Sequence, residues 1–244
     1  MSSPASKPKR PRISANFAMT WDGRISTRRR TPSDFTSAAD KARLLELRAL
    51  ADAVLVSATT AKADRMTMGL PKAGLRAQRV ARGQAPYPLR VLLSHSGRID
   101  PELPVFQQDF STIVLFSTTR MPPRIREALA RRADLHLYEG SEVKLPHALQ
   151  TLREEYGIRR AHCEGGGRLL RSFLEEDLLD ELYLTLCPRI FGSATAPTIS
   201  GFAPEFLRRS VAWNLVKTEP VDDECFLHYR ALRRSAVASL VNHR

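Results

Sequence analysis

The chain has 244 residues, a formal net charge of +12 and a hydrophobic fraction of 43%. Its length and composition allow one large domain with a substantial core. No apolar run is long enough to cross a membrane, and the basic segment 1–12 lacks the apolar centre of a secretory signal. The three cysteines are far apart in apolar surroundings, which predicts reduced thiols and a cytoplasmic protein without a membrane partner.

A net charge this positive could also indicate a protein that binds nucleic acid. No helix-turn-helix, zinc-finger or aromatic RNA-binding pattern accompanies the arginines, and anionic small molecules would explain the charge equally well. We therefore expect no nucleic-acid partner. We expect residues 1–12 to form a disordered basic tail, residues 13–235 a single domain and residues 236–244 a C-terminal tail.

Strands and helices alternate along most of the chain. Short apolar runs predict strands at 13–20, 53–56, 90–94, 112–116, 135–138, 180–188, 211–217 and 225–232. A helix is predicted from a capping box at Ser37–Asp40 to about Leu50, and two further helices cover 123–132 and 146–156. The segment 65–88 is predicted to be a long basic loop. This order predicts an α/β fold with a mostly parallel sheet and an antiparallel hairpin, joined through 220–223, at its C-terminal edge.

A glycine turn follows the strand that ends near Cys163. Gly165, Gly166 and Gly167 lead directly into a helical pattern that starts with Arg168 and Leu169. A helix N-terminus binds phosphate, and glycine lets a ligand approach the backbone closely. The alternative is a tight connection that only packs the helix. Glu164, at the mouth of the turn, is a candidate acid or base.

Hydroxyl groups follow the buried strand at 53–57. Thr59 and Thr60 stand at its carboxyl end, and Asp64 comes four residues after Thr60. Open α/β sheets bind ligands at this edge, so Thr60 is a candidate cofactor contact. A helix cap would satisfy the same sequence.

His162 and Glu164 form an H-x-E pattern, which is half of the zinc-deaminase signature. The second half, P-C-x-x-C, does not occur in this chain, and Cys187-Pro188 has the wrong order. A zinc site needs three or four converging ligands. We therefore expect no metal.

Four blocks of sequence together resemble one family. Residues 16–25 (NFAMTWDGRI) resemble its "AMSLDGKIA" block, and residues 47–64 resemble its "LRA-ADAVLVGAGTVRAD" block. Residues 164–169, 178–182 and 188–192 resemble its "EGGPxL", "GLVDEL" and "PxLLG" motifs. The chain is thereby similar to the pyrimidine reductases of riboflavin biosynthesis, the RibD C-terminal domain family, whose three-layer αβα fold is similar to that of dihydrofolate reductase.

The resemblance implies an NADPH-dependent oxidoreductase, commonly a homodimer, whose reductase domain would be residues 13–235. Its phosphorylated substrate would be 5-amino-6-(5-phosphoribosylamino)uracil, reduced at the ribosyl C1′. Matching positions imply that Asn16, Arg48 and Glu164 contact the substrate, with Glu164 orienting or protonating the sugar. The implied cofactor contacts are Ala18, Thr60, Asp64, Ser94, His95, Gly165, Gly166, Gly167, Arg168 and Leu169. Any deamination would be carried out by another protein.

The sequence departs from the family pattern at three places. Asn16 stands where many bacterial members have lysine, Gly167 stands where proline is expected, and residues 64–70 replace the substrate-binding "DDPxLTVR" segment. Three alternatives therefore stay open: a reductase of the same fold that acts on another substrate such as a pterin, a non-catalytic NADP-binding protein, and a basic nucleic-acid binder.

Overall fold

The computed structural model describes residues 10–26, 35–201 and 206–232. The predicted tails lie outside these residues, except for positions 10–12, where Arg12 begins the first strand. The strands are β1 (Arg12–Thr20), β2 (Ala53–Ser57), β3 (Leu89–Leu93), β4 (Ile113–Thr118), β5 (Asp134–Tyr138), β6 (Arg160–Cys163), β7 (Glu181–Cys187), β8 (Trp213–Val221) and β9 (Glu224–Ala231). The helices are α1 (Ala38–Leu50), α2 (Ala58–Ala63), α3 (Ala73–Ala81), α4 (Pro123–Ala130), α5 (Leu145–Glu154) and α6 (Gly167–Glu175).

All nine strands form one sheet in the order β5-β4-β3-β2-β6-β1-β7-β9-β8. The first seven strands in this order run parallel, and the last two pair antiparallel at one edge. The predicted α/β class and its antiparallel C-terminal edge are confirmed. In the hairpin, however, Pro220 belongs to β8 rather than to the turn. An edge strand tolerates proline because its outer N–H groups have no ladder partner.

Two apolar cores cover the faces of the sheet. On one face α5 and α6 pack against β1, β2 and β4, with Leu149 and Phe173 among the most buried side chains. On the other face α2 and α4 pack against β2, β3 and β4 around Val56 and Leu115. No helix in the described part of the chain combines the length and the hydropathy that a membrane crossing needs.

Helix α1 begins at the predicted capping box. The Ser37 hydroxyl accepts a hydrogen bond of 3.0 Å from the Asp40 N–H. Glu224, at the start of β9, accepts hydrogen bonds from the Ser37 N–H at 3.0 Å and from its hydroxyl at 2.5 Å. A carboxylate at a helix N-terminus is stabilising, so Glu224 fixes the beginning of α1 to the antiparallel hairpin.

The predicted loop at 65–88 is wrong, because α3 occupies its middle. Arg79 on this helix is only 1% exposed and donates to the carbonyl groups of Ala49, Ala51 and Ala85. Arg90 is equally buried and donates to the carbonyls of Val105, Gln108 and Ser111, and its burial lowers its pKa to about 10. Part of the positive charge therefore holds loops together inside the protein.

Candidate active site

Glu164 and Arg48 form a closed ion pair beside the end of β6. Arg48 Nε lies 2.7 Å from Glu164 Oε1, and Nη2 lies 2.5 Å from Oε2. The two side chains are 9% and 2% exposed, and Arg48 Nη1 also donates to the Gly69 carbonyl. Burial alone would lower the pKa of Arg48, but the attraction of Glu164 raises it. Both carboxylate oxygens accept hydrogen bonds, as those of an ionised carboxylate do.

The polar residues of β1 lie on the same face as this pair. Ser14 pairs with His162 and Ala15 pairs with Cys163, so Asn16 is next to Glu164 in the parallel register. Two residues further on, Ala18 pairs with Thr185 of β7. The sheet thus aligns Asn16, Glu164 and Ala18 beneath α1, although they are far apart in sequence.

Each of the three positions in the turn requires glycine for a different structural reason. Gly165 has a φ of +119°, a value that residues other than glycine rarely adopt, and the peptide bond between Gly165 and Gly166 is cis. A Cβ on Gly166 would lie 2.7 Å from Thr60 Oγ1, and one on Gly167 would lie 2.6 Å from the Gly201 nitrogen. The alternative interpretation, close packing, therefore accounts for Gly167. Gly166 instead lies against the Thr60 hydroxyl, a polar side-chain group rather than backbone.

Helix α6 begins directly after this turn. Gly166 is its N-cap, and Gly167, Arg168 and Leu169 form its first turn, in which Arg168 is exposed. The first N–H groups of a helix have no partner within it and carry a partial positive charge. Together with Thr60, they form a cradle that suits a phosphate group.

Thr60 is positioned by the N-terminus of α2. Ser57, not a threonine, is the N-cap, and its hydroxyl accepts from the Thr60 N–H at 3.2 Å. The hydroxyl groups of Ser57 and Thr60 are 2.9 Å apart. Asp64 lies at the exposed C-terminal end of the same helix. The cap interpretation therefore belongs to Ser57, which leaves the Thr60 hydroxyl facing the glycine turn.

A separate cavity of about 430 Å³ opens beyond the ends of β3 and β4, lined by Ser96, Arg98 and Arg120. The predicted cofactor contacts Ser94 and His95 begin the loop on one side of it. The His95 ring accepts from the Val143 N–H through Nδ1 at 2.9 Å, which makes Nε2 its donor. Sequence reasoning missed Arg98 and Arg120. Their positions just after parallel strands were the available signal.

His162 is buried in the interior of the protein. It is 0% exposed, its Nδ1 lies 2.8 Å from the Ser14 hydroxyl, and burial lowers its pKa to about 4. Among the described residues, no three His, Cys, Asp or Glu side chains come together as a metal would require. The expectation of a metal-free protein remains a prediction.

Polar groups gathered at the carboxyl ends of β1, β2, β3 and β6 are typical of a nucleotide-dependent α/β enzyme. Residues 11–227 match the family model of the RibD C-terminal domain. The chain belongs to the RibD C-terminal domain family and is an oxidoreductase.

Two proteins with similar sequences are named as reductases. The 2,5-diamino-6-ribosylamino-4(3H)-pyrimidinone 5′-phosphate reductase of Archaeoglobus fulgidus is 30% identical, over 78% of this chain and 86% of the relative. The reductase of the same name from Methanothermobacter thermautotrophicus is 29% identical, over 90% and 98%. A solved pyrimidine reductase-like protein from Corynebacterium diphtheriae has the same fold, with a TM-score of 0.79 at 20% identity and coverage of 95% and 96%.

Proposed function

We propose that this protein is an NADPH-dependent reductase of riboflavin biosynthesis. It reduces the ribosyl C1′ of 5-amino-6-(5-phosphoribosylamino)uracil or of the related diaminopyrimidinone phosphate. The observation that carries the proposal is the continuity of Glu164 with the glycine turn. One short segment presents a fixed carboxylate for a substrate and a helix N-terminus for a cofactor phosphate.

The residues present suit a dinucleotide. The start of α6, with Gly165 to Leu169, and the Thr60 hydroxyl would hold the pyrophosphate, and Asp64 would lie near it. Arg98 and Arg120 would bind the 2′-phosphate, the group that distinguishes NADPH from NADH, because guanidinium groups bind phosphate with charge-assisted hydrogen bonds. Ser94 and His95 adjoin that cavity. NADPH, when bound, supplies the hydride.

The substrate would lie between α1 and β1. Glu164 is held by Arg48 as a hydrogen-bond acceptor, so it is suited to orienting a sugar hydroxyl. Asn16 would contact the substrate from the neighbouring strand. Arg48 is already engaged by Glu164 and Gly69, so its contribution to binding would come mainly through the orientation of Glu164.

The test follows NADPH absorbance with each of the two phosphorylated substrates, and with dihydropterin as the competing substrate. NADPH oxidation with one of the ribosylamines, but not with dihydropterin, is the expected result. Binding of NADPH without any turnover would instead support a non-catalytic NADP-binding protein.

Cofactor choice is tested by the double variant Arg98→Ala/Arg120→Ala. We expect its Kd for NADPH to rise at least tenfold, about 1.4 kcal/mol or more, with little change in the Kd for NADH. Arg131→Ala is a matched control, because Arg131 is also exposed and pairs only loosely with Glu127 at 3.6 Å. Equal losses for both nucleotides would contradict the 2′-phosphate assignment.

We further propose that the enzyme works as a cytoplasmic homodimer. The support for the dimer is β8, an edge strand with exposed Leu215 and Val216. The support for the cytoplasm is that Cys163, Cys187 and Cys225 are unpaired thiols.

A further inference from the structure

We infer that Asp40 is the catalytic proton donor, placed on α1 opposite the end of the site that Glu164 occupies. The inference rests on the proposed function, since it assigns a residue to the second half of that reaction. It is carried by the proximity of Asp40 to Thr185, which pairs with Ala18, and by a buried carboxyl oxygen that has no hydrogen-bond partner among the described residues.

The reaction needs a proton as well as a hydride. In the ring-opened substrate the C1′=N double bond becomes a C1′–N single bond. C1′ gains the hydride, which oxidises the dihydronicotinamide, and the nitrogen gains a proton, giving an amine attached to a CH2 group. Glu164 is poorly suited to supply that proton, because both of its oxygens accept hydrogen bonds from Arg48.

Asp40 has the environment of a carboxylic acid. It is 7% exposed and lies in the first turn of α1, and burial raises its pKa. One carboxyl oxygen, Oδ1, is buried without a hydrogen-bond partner among the described residues. A protonated carboxyl group tolerates such a setting far better than a carboxylate does.

Its location matches the geometry of the step. The Thr185 hydroxyl lies close enough to the Asp40 carboxyl to lower its pKa, and Thr185 pairs with Ala18, the position at which the cofactor is expected. Asn16, next to Glu164, is two residues earlier on β1. Two residues of strand are about 7 Å, so Asp40 and Glu164 would reach opposite ends of one substrate fragment on the same face.

The groups around Asp40 favour a raised pKa on balance. Glu224 on β9 raises it further, whereas the hydroxyls of Thr185 and Thr36 and the charge of Arg43 lower it. Cys187 on β7 is also in this cluster, but burial and Glu224 raise the pKa of its thiol to about 12, so it stays neutral.

The experiment compares Asp40→Asn with the parent protein. The expected result is a fall in kcat of about a hundredfold, with KM and the Kd for NADPH within a few-fold. An acid acts in its protonated form, so the parent's kcat is full below the pKa of Asp40 and falls above it. The variant should lose this alkaline limb. Asp100→Asn, in an exposed loop, is the control that should change neither.

A second readout needs no turnover. Burial raises the pKa of Asp64 as well as that of Asp40, so in the unliganded protein with ¹³C-labelled aspartate two carboxyl resonances should titrate above the usual range. The Asp40→Asn variant should lose one of them and keep the other. If Asp40 titrates like an exposed aspartate, or if the folded variant keeps the parent's kcat and alkaline limb, the inference is overturned while the reductase function stands. If the parent oxidises NADPH with neither ribosylamine, the proposed function itself fails.

Discussion

For the single residue Glu164, the family resemblance implied a role in the site, and the structure distinguishes between two versions of that role. The sequence alone allowed it to orient or to protonate the sugar. Its bidentate pairing with Arg48 favours orientation, since an engaged carboxylate has no proton to give. The pairing could not be derived from the sequence, because the two residues are 116 positions apart and meet only when α1 packs on the sheet.

Replacing Glu164 with glutamine tests this role directly. Glutamine keeps the size of the side chain but removes its charge and turns one acceptor into a donor, so both Arg48 and the sugar hydroxyl lose an acceptor. We expect turnover to fall on the order of a hundredfold and NADPH affinity to stay within a few-fold. Steady-state kinetics and NADPH fluorescence measure the two effects, and thermal unfolding shows whether the variant is folded. Unchanged turnover would reduce Glu164 to a structural partner of Arg48.

At the scale of elements, periodicity predicted most strands and helices to within a few residues. Continuous apolar runs such as 53–56 are typical of strands in a sheet covered on both faces, and the structure has β2 there, so local pattern and tertiary position agree. Helix α3 was missed because its charged residues interrupt the apolar spacing that would indicate a helix. The buried Arg79 uses its guanidinium to bind carbonyl groups of other segments, and no local rule predicts such contacts.

The strand–turn–helix element around the glycines supports a paired prediction. Gly166→Val crowds the Thr60 hydroxyl and the cradle above it, so NADPH binding should weaken at least tenfold, about 1.4 kcal/mol. Gly167→Ala places a methyl group against the Gly201 backbone, so it should cost stability, about 1–3 kcal/mol. Fluorescence titration and denaturant unfolding separate the two losses. If Gly166→Val stays folded and binds NADPH normally, the phosphate site lies elsewhere.

At the scale of the whole molecule, the sequence predicted which edge of the sheet carries the candidate site, but it did not predict all of the residues that we assign to that site. Parallel strands bring the segments after β1, β2, β3 and β6 to one edge. Thr60 and Glu164 were predicted there from the residues themselves, whereas Ser94 came from the family resemblance. In the mechanism that we infer, Asp40 reaches the site from the side of α1, and its neighbour Thr185 lies on a distant strand. Only the packing of α1 against β7 reveals that juxtaposition.

The antiparallel edge carries the last prediction, the homodimer. Seven consecutive residues of β8 are exposed, among them Leu215 and Val216, and an exposed, partly apolar edge strand pairs readily with a second chain. Because a lysine at an edge opposes such pairing, Leu215→Lys should raise the dimer dissociation constant at least tenfold, about 1.4 kcal/mol. Sedimentation measures the association, and Val80→Lys on α3, where Val80 is 54% exposed, is the matched control. A parent protein that sediments as a monomer at micromolar concentration would remove the dimer. Equal dissociation constants for the two variants would show that the dimer interface does not include β8.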